Sequence, residues 1–394
     1  MKLIIFLLSI WATASLSVAH AKDQFDIDED DYIGDVPHVL SVSRLSQPKS
    51  DAPSAVTVID RQMIRASGIV DLPEIFRLVP GFYVGANAGY VHNTNHVVSY
   101  HGMTSAYAGS MQVLIDGRSV YSPLYGGVQW SELPIAIADI ERIEVTRGPN
   151  AASYGANSYF GVINIITQHP SQISGNTIIA THGNGRNEVF YRMGGKSGDF
   201  NYRVTTGYRQ DDGLDDRNDF KRTRMLNVRA AYQVNNSNNV EFEFGLADGA
   251  RGEGNANEDP FVFLPRTKQV GNHYELIRWR HNVGDDSDFS LQAYHSFDRS
   301  DDKTTSINLR PVVDALLGAG AGALLLNDAI SIRNLVETER YELEAQHNFS
   351  LGNDLRFVWG GSVRQDSMKA PFYLGTSKTD YFDLKRLFGH AEWA

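Results

Sequence analysis

The stretch that decides the fold is IERIEVTRGP at residues 140–149, followed by YGAN at 154–157 and GVINIIT at 161–167. In its first part, Ile143 and Val145 alternate with charged or polar residues, which is typical of a strand with one buried face. The last part is rich in β-branched residues and predicts a further strand. The glycines and the proline between them favour tight turns. The stretch therefore predicts two core strands with turns between them.

The residues around this stretch, from Ala52 to Thr167, alternate short strands with short helices. Asp60 and Asp71 stand where an acidic side chain can cap a helix. Asp116-Gly117 indicates a tight hairpin, because both central residues of such a turn must accept positive φ. These signals predict a small α+β domain, which we place at residues 52–170.

Composition excludes several classes of function. The 394 residues include 36 basic and 47 acidic side chains, which gives a net charge of -11 and makes a general nucleic-acid binder untenable. The chain has no cysteine, so it offers no disulfide framework, thiolate metal site or cysteine nucleophile. No constellation of nucleophile, base and oxyanion donors is evident, and we expect neither an enzyme nor a resident cofactor.

The N-terminus has the pattern of an export signal over residues 1–21. Lys2 precedes a mostly apolar run, and Ala19-His20-Ala21 fits cleavage between small residues. The run is shorter than the roughly 20 residues that a membrane-spanning helix needs. Residues 22–51 are polar and partly acidic, which predicts a flexible arm before the first folded domain.

From residue 176 to 394 the pattern changes to segments with period-two alternation, about the length of a tilted membrane strand. An antiparallel sandwich in water would alternate in the same way. Short and long connections alternate strictly along the chain, as they do in outer-membrane barrels with tight periplasmic turns and long extracellular loops. We therefore expect a transmembrane antiparallel β-barrel, with the apolar segment Val312 to Leu326 as a helix or lining within one long loop.

The motifs together resemble a known family. The opening stretch, Val79-Pro80-Gly81 and VLIDGR at 113–118 are similar, in the expected order, to the plug domain of TonB-dependent outer-membrane receptors. The resemblance implies an α+β plug domain inside a transmembrane antiparallel β-barrel. The barrel is incomplete in this chain, because plugged transporters close with about 22 strands. The last segment, Lys385 to Ala394, stops inside a strand, so we expect a fragment of a longer protein.

The resemblance also implies a location and partners. It places the protein in the cell outer membrane of a Gram-negative bacterium, as a monomer in outer-membrane lipid, coupled to TonB with ExbB and ExbD. A ferric siderophore is the first choice of substrate, cobalamin the second, and haem or a metal-binding peptide follow. A non-transporting surface receptor or adhesin is the alternative from a different class.

Candidate site residues follow from the resemblance. A TonB box would lie just upstream of the plug, where a short extended stretch can add a strand to a partner's sheet; an ordinary linker is the alternative. Its residues would be Val39, Leu40, Ser41, Val42 and Ser43.

Two loops of the plug would contact the ligand from below, although their aromatic residues could equally be packing residues. The candidate ligand contacts are Tyr83, His92, Asn95, His96, Tyr121, Tyr125 and Trp130. Glu144 and Arg147 are the charges expected to tie the plug to the barrel wall, since a buried charge needs a partner.

One long loop carries a cluster of oxygen ligands. Its carboxylates are Asp211, Asp212, Asp215 and Asp216, and calcium would suit them. Their spacing is not that of the helix–loop–helix calcium site, and a solvated acidic loop is the alternative.

Overall fold

The computed structural model describes most of the chain from residue 38 onward, within the compact unit Pro37–Ala394. The described residues are 38–40, 44, 47–52, 54–88, 94–102, 109–155, 157–254, 264–284, 287–306, 309–328, 330–352, 355–371, 379–383 and 387–393. The predicted signal peptide, at 1–21, and most of the predicted arm lie outside them, so the domain boundaries drawn from the sequence stay predictions.

The arm and the plug consist, in the described residues, of short strands and two short α-helices. The strands are β1 (His38–Val39), β2 (Gln47–Pro48), β3 (Ala55–Asp60), β4 (Phe82–Gly85), β5 (Val97–Tyr100), β6 (Met111–Ile115), β7 (Arg118–Ser119), β8 (Ile140–Arg147) and β9 (Gly161–Thr167). The helices are α1 (Arg61–Ser67) and α2 (Ala151–Tyr154). Five strands form one mixed sheet in the order β3-β8-β9-β6-β7, in which β6 and β9 are parallel.

The sequence explains why these elements form where they do. Ile143 and Val145 of β8 are fully buried in the plug core, as their alternation predicts. Asp60 caps α1 by accepting a 2.7 Å hydrogen bond at Oδ1 from the backbone nitrogen of Met63. Asp116 and Gly117 have φ of 48° and 85° and turn the chain from β6 to β7, which confirms the predicted hairpin.

The remaining strands form one antiparallel sheet, which we call the wall. They are β10 (Gly175–Gly183), β11 (Arg186–Ser197), β12 (Phe200–Asp211), β13 (Lys221–Asn235), β14 (Asn238–Glu253), β15 (Arg266–Gly284), β16 (Ser287–Ser306), β17 (Ile330–Leu351), β18 (Leu355–Lys369), β19 (Thr379–Asp383) and β20 (Leu387–Trp393). Each strand from β10 to β18 pairs with the next in sequence, and β18 pairs with both β19 and β20.

The connections of the wall are sorted by length. Two or three residues join β11 to β12, β13 to β14, β15 to β16 and β17 to β18 at one edge, which we call the short-turn rim. At the opposite edge, the long-loop rim, nine to twenty-three residues join β12 to β13, β14 to β15, β16 to β17 and β18 to β19. The two-residue turn between β10 and β11 is the exception at that edge. This sorting matches the predicted outer-membrane topology.

The two faces of the wall differ in burial. In β15, Tyr274 and Leu276 face the plug and are buried, whereas Ile277 and Trp279 point away and are exposed. Helix α3 (Leu309–Leu317) lies in the longest connection and overlaps the first part of the apolar segment Val312 to Leu326, for which the sequence allowed a loop helix. Among the described residues, no helix combines the length and the apolar character needed to cross a membrane.

Candidate functional site

In the part of the chain that the structure describes, four close ion pairs join the plug to the wall, and Asp139 also lies 4.0 Å from a further guanidinium, that of Arg203. In each of the four, the carboxylate belongs to the plug and the guanidinium to the wall, and every partner side chain is at most 15% exposed. The pairs are Asp71–Arg186 at 3.2 Å, Asp116–Arg229 at 3.1 Å, Glu132–Arg251 at 2.8 Å and Asp139–Arg192 at 3.3 Å. Buried ion pairs of this kind hold two elements in register, because breaking a pair would leave a buried charge without a partner.

Asp116 is the most highly connected of these carboxylates. Its Oδ1 accepts from the backbone nitrogen of Thr167 at 2.9 Å and from Arg229 Nη1 at 3.1 Å. Its Oδ2 accepts from Thr167 Oγ1 at 2.8 Å. Arg229 also donates through Nη2 to Glu241 Oε2 at 3.1 Å. One hairpin of the plug is therefore tied at once to β9 and to two wall strands.

The two charges expected to tie the plug to the wall make other contacts. Glu144 is fully buried, and its carboxylate accepts from Arg142 Nε at 2.8 Å and from the backbone nitrogen of Leu40 at 2.9 Å. These two partners belong to the plug and the arm. Arg147 Nε is buried without a hydrogen-bond partner in the part of the chain that the structure describes. Wall pairing by these two residues stays a prediction.

The arm is held against the plug at the predicted TonB box. Val39 is fully buried against Val56. Both backbone groups of Leu40 form hydrogen bonds to plug side chains. Its nitrogen donates to Glu144, and its carbonyl accepts from Tyr154 Oη at 3.5 Å. Ser41, Val42 and Ser43, the rest of the predicted box, lie outside the described residues.

A second contact ties the arm to the wall. Arg44 Nη1 lies 2.7 Å from Glu344 Oε1 of β17, and its guanidinium sits 4.8 Å from the ring centre of Tyr154. The neighbouring carboxylates, with Glu344 the nearest, raise the pKa of Arg44 although burial opposes this. A cavity of about 990 Å³ opens beside Leu40 and Arg44, next to the short-turn rim.

A buried polar cluster lies at the opposite end of the plug. His96 Nδ1 accepts from the backbone nitrogen of Asn87 at 3.4 Å, and its Nε2 lies 3.3 Å from Asp71 Oδ2. Lys221, at the start of β13, hydrogen-bonds to Asn87 and lies 3.3 Å from the same Nε2. Asn87 also donates to Asp219 at 2.8 Å. This network joins the plug to the wall at the long-loop rim.

The cluster sets two unusual protonation states. Burial, together with the charge of Lys221, lowers the pKa of His96 to about 4, so its ring is neutral at pH 7. Burial works to raise the pKa of the Asp71 carboxyl, but the surrounding positive groups, including Arg186, lower it to about 2. With Nδ1 acting as an acceptor, the neutral His96 ring presents its N–H to the Asp71 carboxylate.

The predicted ligand contacts divide into buried and exposed residues. Asn95 and His96 are buried; the amide of Asn95 donates to the Val128 carbonyl at 3.1 Å. Tyr121 and Trp130 also lie in the plug core. Tyr83 is 56% exposed.

The remaining predicted contacts are Tyr125 and His92. Tyr125 is half-buried, with Lys268 of the wall 5.9 Å from its ring centre. His92 lies outside the described residues. The structure thus leaves Tyr83 and Tyr125 as the predicted contacts with accessible side chains among those it describes.

The acidic loop is held by local bonds. Asp211 accepts from Gly213 N at 2.8 Å and from Arg186 Nη1 at 3.4 Å, while Asp212 accepts from Gln210 Nε2 at 3.1 Å. Asp215 and Asp216 are exposed. The structure does not gather the four carboxylates into one group of metal-capable side chains among the described residues, and the calcium site stays a prediction.

Comparisons with known proteins agree with this architecture. The model of the TonB-dependent Receptor Plug Domain matches residues 48–162. Residues 48–162 thus form a domain of the TonB-dependent receptor plug family. Its plug and wall together superpose on the ferripyoverdine receptor of Pseudomonas aeruginosa with a TM-score of 0.64, at 15% identity, covering 89% of this chain and 49% of that one. The ferric-catecholate import receptor Fiu of E. coli gives 0.62 at 16% identity, covering 85% and 52%.

Curated relatives point to the same class of receptor. The vitamin B12 transporter BtuB of Vibrio vulnificus is 31% identical over 140 residues, which are 36% of this chain and 22% of that protein. The iron-regulated outer membrane virulence protein of Vibrio cholerae is 29% identical over 225 residues, which are 53% and 33%. The chain spans about half the length of the solved receptors that it matches.

The findings confirm two predictions from the sequence and agree with two more. They are the family resemblance and the plug followed by part of an antiparallel barrel, while the predicted outer-membrane location and lack of enzyme activity agree with relatives that are outer-membrane receptors and transporters. Sequence reasoning missed the plug carboxylates that pair with the wall, Asp71, Asp116, Glu132 and Asp139. Asp116 carried a signal as part of a turn motif and Asp71 as a candidate helix cap, but neither signal said anything about a partner on the wall. In the structure the Asp71 side chain makes no capping hydrogen bond.

Proposed function

We propose that this chain is the plug and the first part of the barrel of a transporter that imports a ferric siderophore across the outer membrane, driven by TonB with ExbB and ExbD. The observation that carries the proposal is the double attachment of the arm, Leu40 to Glu144 of the plug and Arg44 to Glu344 of the wall. A partner that adds a strand to the arm would compete for the backbone groups of Leu40.

The two sets of contacts differ in strength, and this difference suits energy coupling. The four plug–wall ion pairs are buried. Among the described residues, the arm is held by a charge-assisted hydrogen bond and a longer one at Leu40, by the buried side chain of Val39, and by an ion pair whose side chains are 13% and 22% exposed. Water screens such a pair more than it screens a buried one. A pull on the arm would therefore free the arm before it displaced the plug.

The pull would also reach the plug sheet directly. Glu144 lies in the middle of β8, which pairs with β9, and β9 carries Thr167 against Asp116. Tension on Leu40 is thus transmitted through Glu144 to the strands that hold the plug to Arg229. This continuous path is the structural basis for the proposed coupling between the arm and the opening of the plug.

The iron relative supports a ferric siderophore as the substrate class. Its alignment extends over 225 residues, against 140 for the vitamin B12 transporter of Vibrio vulnificus. The solved receptors share the fold and carry no argument about the ligand at their identities of 15% and 16%. Cobalamin is the second candidate, because the B12 transporters align with this chain at 31% identity.

Ligand binding can be measured by quenching of tryptophan fluorescence on the protein expressed from its complete reading frame. Saturable quenching by ferric catecholate or hydroxamate siderophores, with cobalamin and haem inactive, is the expected result. Saturation by cobalamin alone would replace the first candidate with the second. If none of these ligands quenches, the chain belongs to a receptor of another kind, such as the surface adhesin that the sequence allowed.

A further inference from the structure

Three metal-capable side chains lie together on the face of the wall that points away from the plug. They are His273 and Glu275 of β15 and His295 of β16, and one potential ligand atom from each lies within 4.8 Å of the others. Among the described residues this is the one group of three such side chains with that geometry. Neither the ion pairs nor the arm contacts involve it.

Strand geometry fixes the arrangement. Glu275 and His295 are directly opposite each other in the β15–β16 register, and His273 lies two residues from Glu275 on the same face. His295 Nδ1 lies 2.9 Å from Glu275 Oε2, and the rings of His273 and His295 are 5.6 Å apart. The hydrogen-bonded strands β15 and β16 therefore fix the positions of all three side chains, and no loop residue is involved.

The surroundings make this polar group unusual. Ile277 and Tyr341 point the same way and are about half exposed, whereas Tyr274 and Tyr294 on the opposite face are buried. In a barrel the exposed face meets lipid, and a carboxylate there needs a compensating charge. A histidine cation or a bound metal ion can supply it. His295 Nε2 is buried and has no hydrogen-bond partner among the described residues, so one ring nitrogen remains available to a ligand.

The position along the strand allows an ion to reach the group. Strand β15 has 19 residues, and Glu275 stands at its middle, nine positions before Gly284 at the short-turn rim. A tilted strand crosses the hydrocarbon in about 9–11 residues. The strand therefore extends beyond the hydrocarbon, and four positions from His295 on the same face, towards the long-loop rim, Arg299 is 50% exposed and lies 3.8 Å from Glu337. Charged, solvated side chains thus follow close to the group on the side from which an ion would reach it.

We propose that His273, Glu275 and His295 form a binding site for a borderline divalent transition-metal ion such as Zn²⁺. Two imidazoles and one carboxylate form a ligand set that zinc accepts, whereas calcium and magnesium prefer oxygen alone. Tetrahedral zinc places its ligand atoms about 3.4 Å apart, so the side chains need to close only slightly from their present spacing. Three protein ligands leave one position open for water. Because the ion links β15 to β16, its binding stabilises the wall.

The test is Zn²⁺ titration of the full-length protein in detergent, by calorimetry and by the visible spectrum of Co²⁺ as a zinc substitute. One equivalent of Zn²⁺ should displace Co²⁺ from a site with tetrahedral absorption. His295→Ala and Glu275→Gln should each weaken this binding at least tenfold. His347→Ala is the matched control, because His347 also points outward but bonds to Ser287 and Trp359.

Folding of each variant is checked by its resistance to unfolding in SDS at room temperature. Glu275→Gln keeps the shape of the side chain, so it remains informative if a histidine variant fails to fold. Absence of Zn²⁺ binding by the wild-type protein would overturn the proposal. The same holds for equal binding by Glu275→Gln, His295→Ala and the His347→Ala control.

Discussion

Asp116 of the plug and Arg229 of the wall form a buried ion pair, with 3.1 Å between Oδ1 and Nη1, although 113 positions separate them in the chain. The same carboxylate holds the backbone and the hydroxyl of Thr167. One side chain thus closes a turn of the plug, links two of its strands and fixes the plug to the wall. Buried ion pairs hold the plug to the wall as one unit, whereas weaker contacts attach the arm to the plug.

Loss of the Asp116 charge should destabilise the protein strongly. Asp116→Asn keeps the shape of the side chain but leaves Arg229 among the remaining carboxylates without its plug partner, and breaking such a pair typically costs about 3–5 kcal/mol. Urea unfolding followed by fluorescence should show a loss of at least about 3 kcal/mol. Asp215→Asn, in the exposed loop, is the control and should unfold like the wild type. Equal stability of the two variants would show that the pair does not anchor the plug.

Glu144→Gln should loosen the arm without unfolding the plug. A neutral amide oxygen still accepts from Leu40 N, but hydrogen bonds to a charged group are roughly twice as strong. Because the chain has no cysteine, Ser43→Cys supplies a single thiol whose labelling rate reports on the arm. Labelling should be several-fold faster with Glu144→Gln in the Ser43→Cys background.

The control for this experiment is Glu141→Gln in the same background. Glu141 lies in the same strand and has no part in the contact with Leu40. Identical labelling rates in the two variants would mean that Glu144 does not restrain the arm.

Acid should destabilise the cluster at the long-loop rim in two steps. The pKa of His96 falls from 6.5 to about 4 on folding, so the unfolded chain binds more protons between these values and stability is lost as pH falls from 6.5 towards 4. Asp71, with a pKa lowered from 3.8 to about 2, loses its contribution as pH falls below 3.8. The first step is worth on the order of 3 kcal/mol.

His96→Gln should remove the first step, because glutamine does not titrate. Urea unfolding midpoints measured from pH 7 to pH 4 would show a flatter dependence for this variant than for the wild type. His347→Gln, outside the plug, should leave the slope unchanged. An unchanged slope in His96→Gln would contradict the assignment of a neutral, buried ring.

Substitutions of Tyr83 and Trp130 should distinguish a residue that contacts the ligand from one that packs in the plug core. Tyr83 is exposed, so Tyr83→Ala should weaken ligand quenching with little change in stability. Trp130 lies 5.1 Å from the ring of Phe76 in the plug core, and Trp130→Ala should cost about 3–5 kcal/mol. Unfolding curves and ligand titrations on both variants check this. A Tyr83→Ala protein with full affinity would remove Tyr83 from the ligand contacts.

Local sequence patterns were sufficient for much of the fold. The alternation of Ile143 and Val145 predicted a strand, and Asp116-Gly117 predicted a turn, because each depends on neighbouring residues. The strands of the wall were predicted from the period-two alternation of apolar and polar residues, and their membrane topology from the alternation of short and long connections. These features depend on residues close together in the chain.

The candidate site was harder to predict because its contacts join distant residues. Nothing in the sequence around Glu144 indicates a bond to Leu40, 104 positions away. Histidine and tryptophan suit a ligand pocket and a core equally well, and the structure places His96 and Trp130 in buried positions. The group on the outer wall needed the register of β15 and β16, which brings Glu275 opposite His295.

The central claim is energy-coupled uptake of a ferric siderophore. The most direct test is uptake of radioactive iron, supplied as a ferric siderophore, by cells that express the full-length protein with and without functional TonB. Saturable uptake that needs both the protein and TonB, and that falls in the Asp116→Asn variant, is the result we expect. Uptake that continues without TonB, or surface binding of the chelate without accumulation of iron, would contradict it.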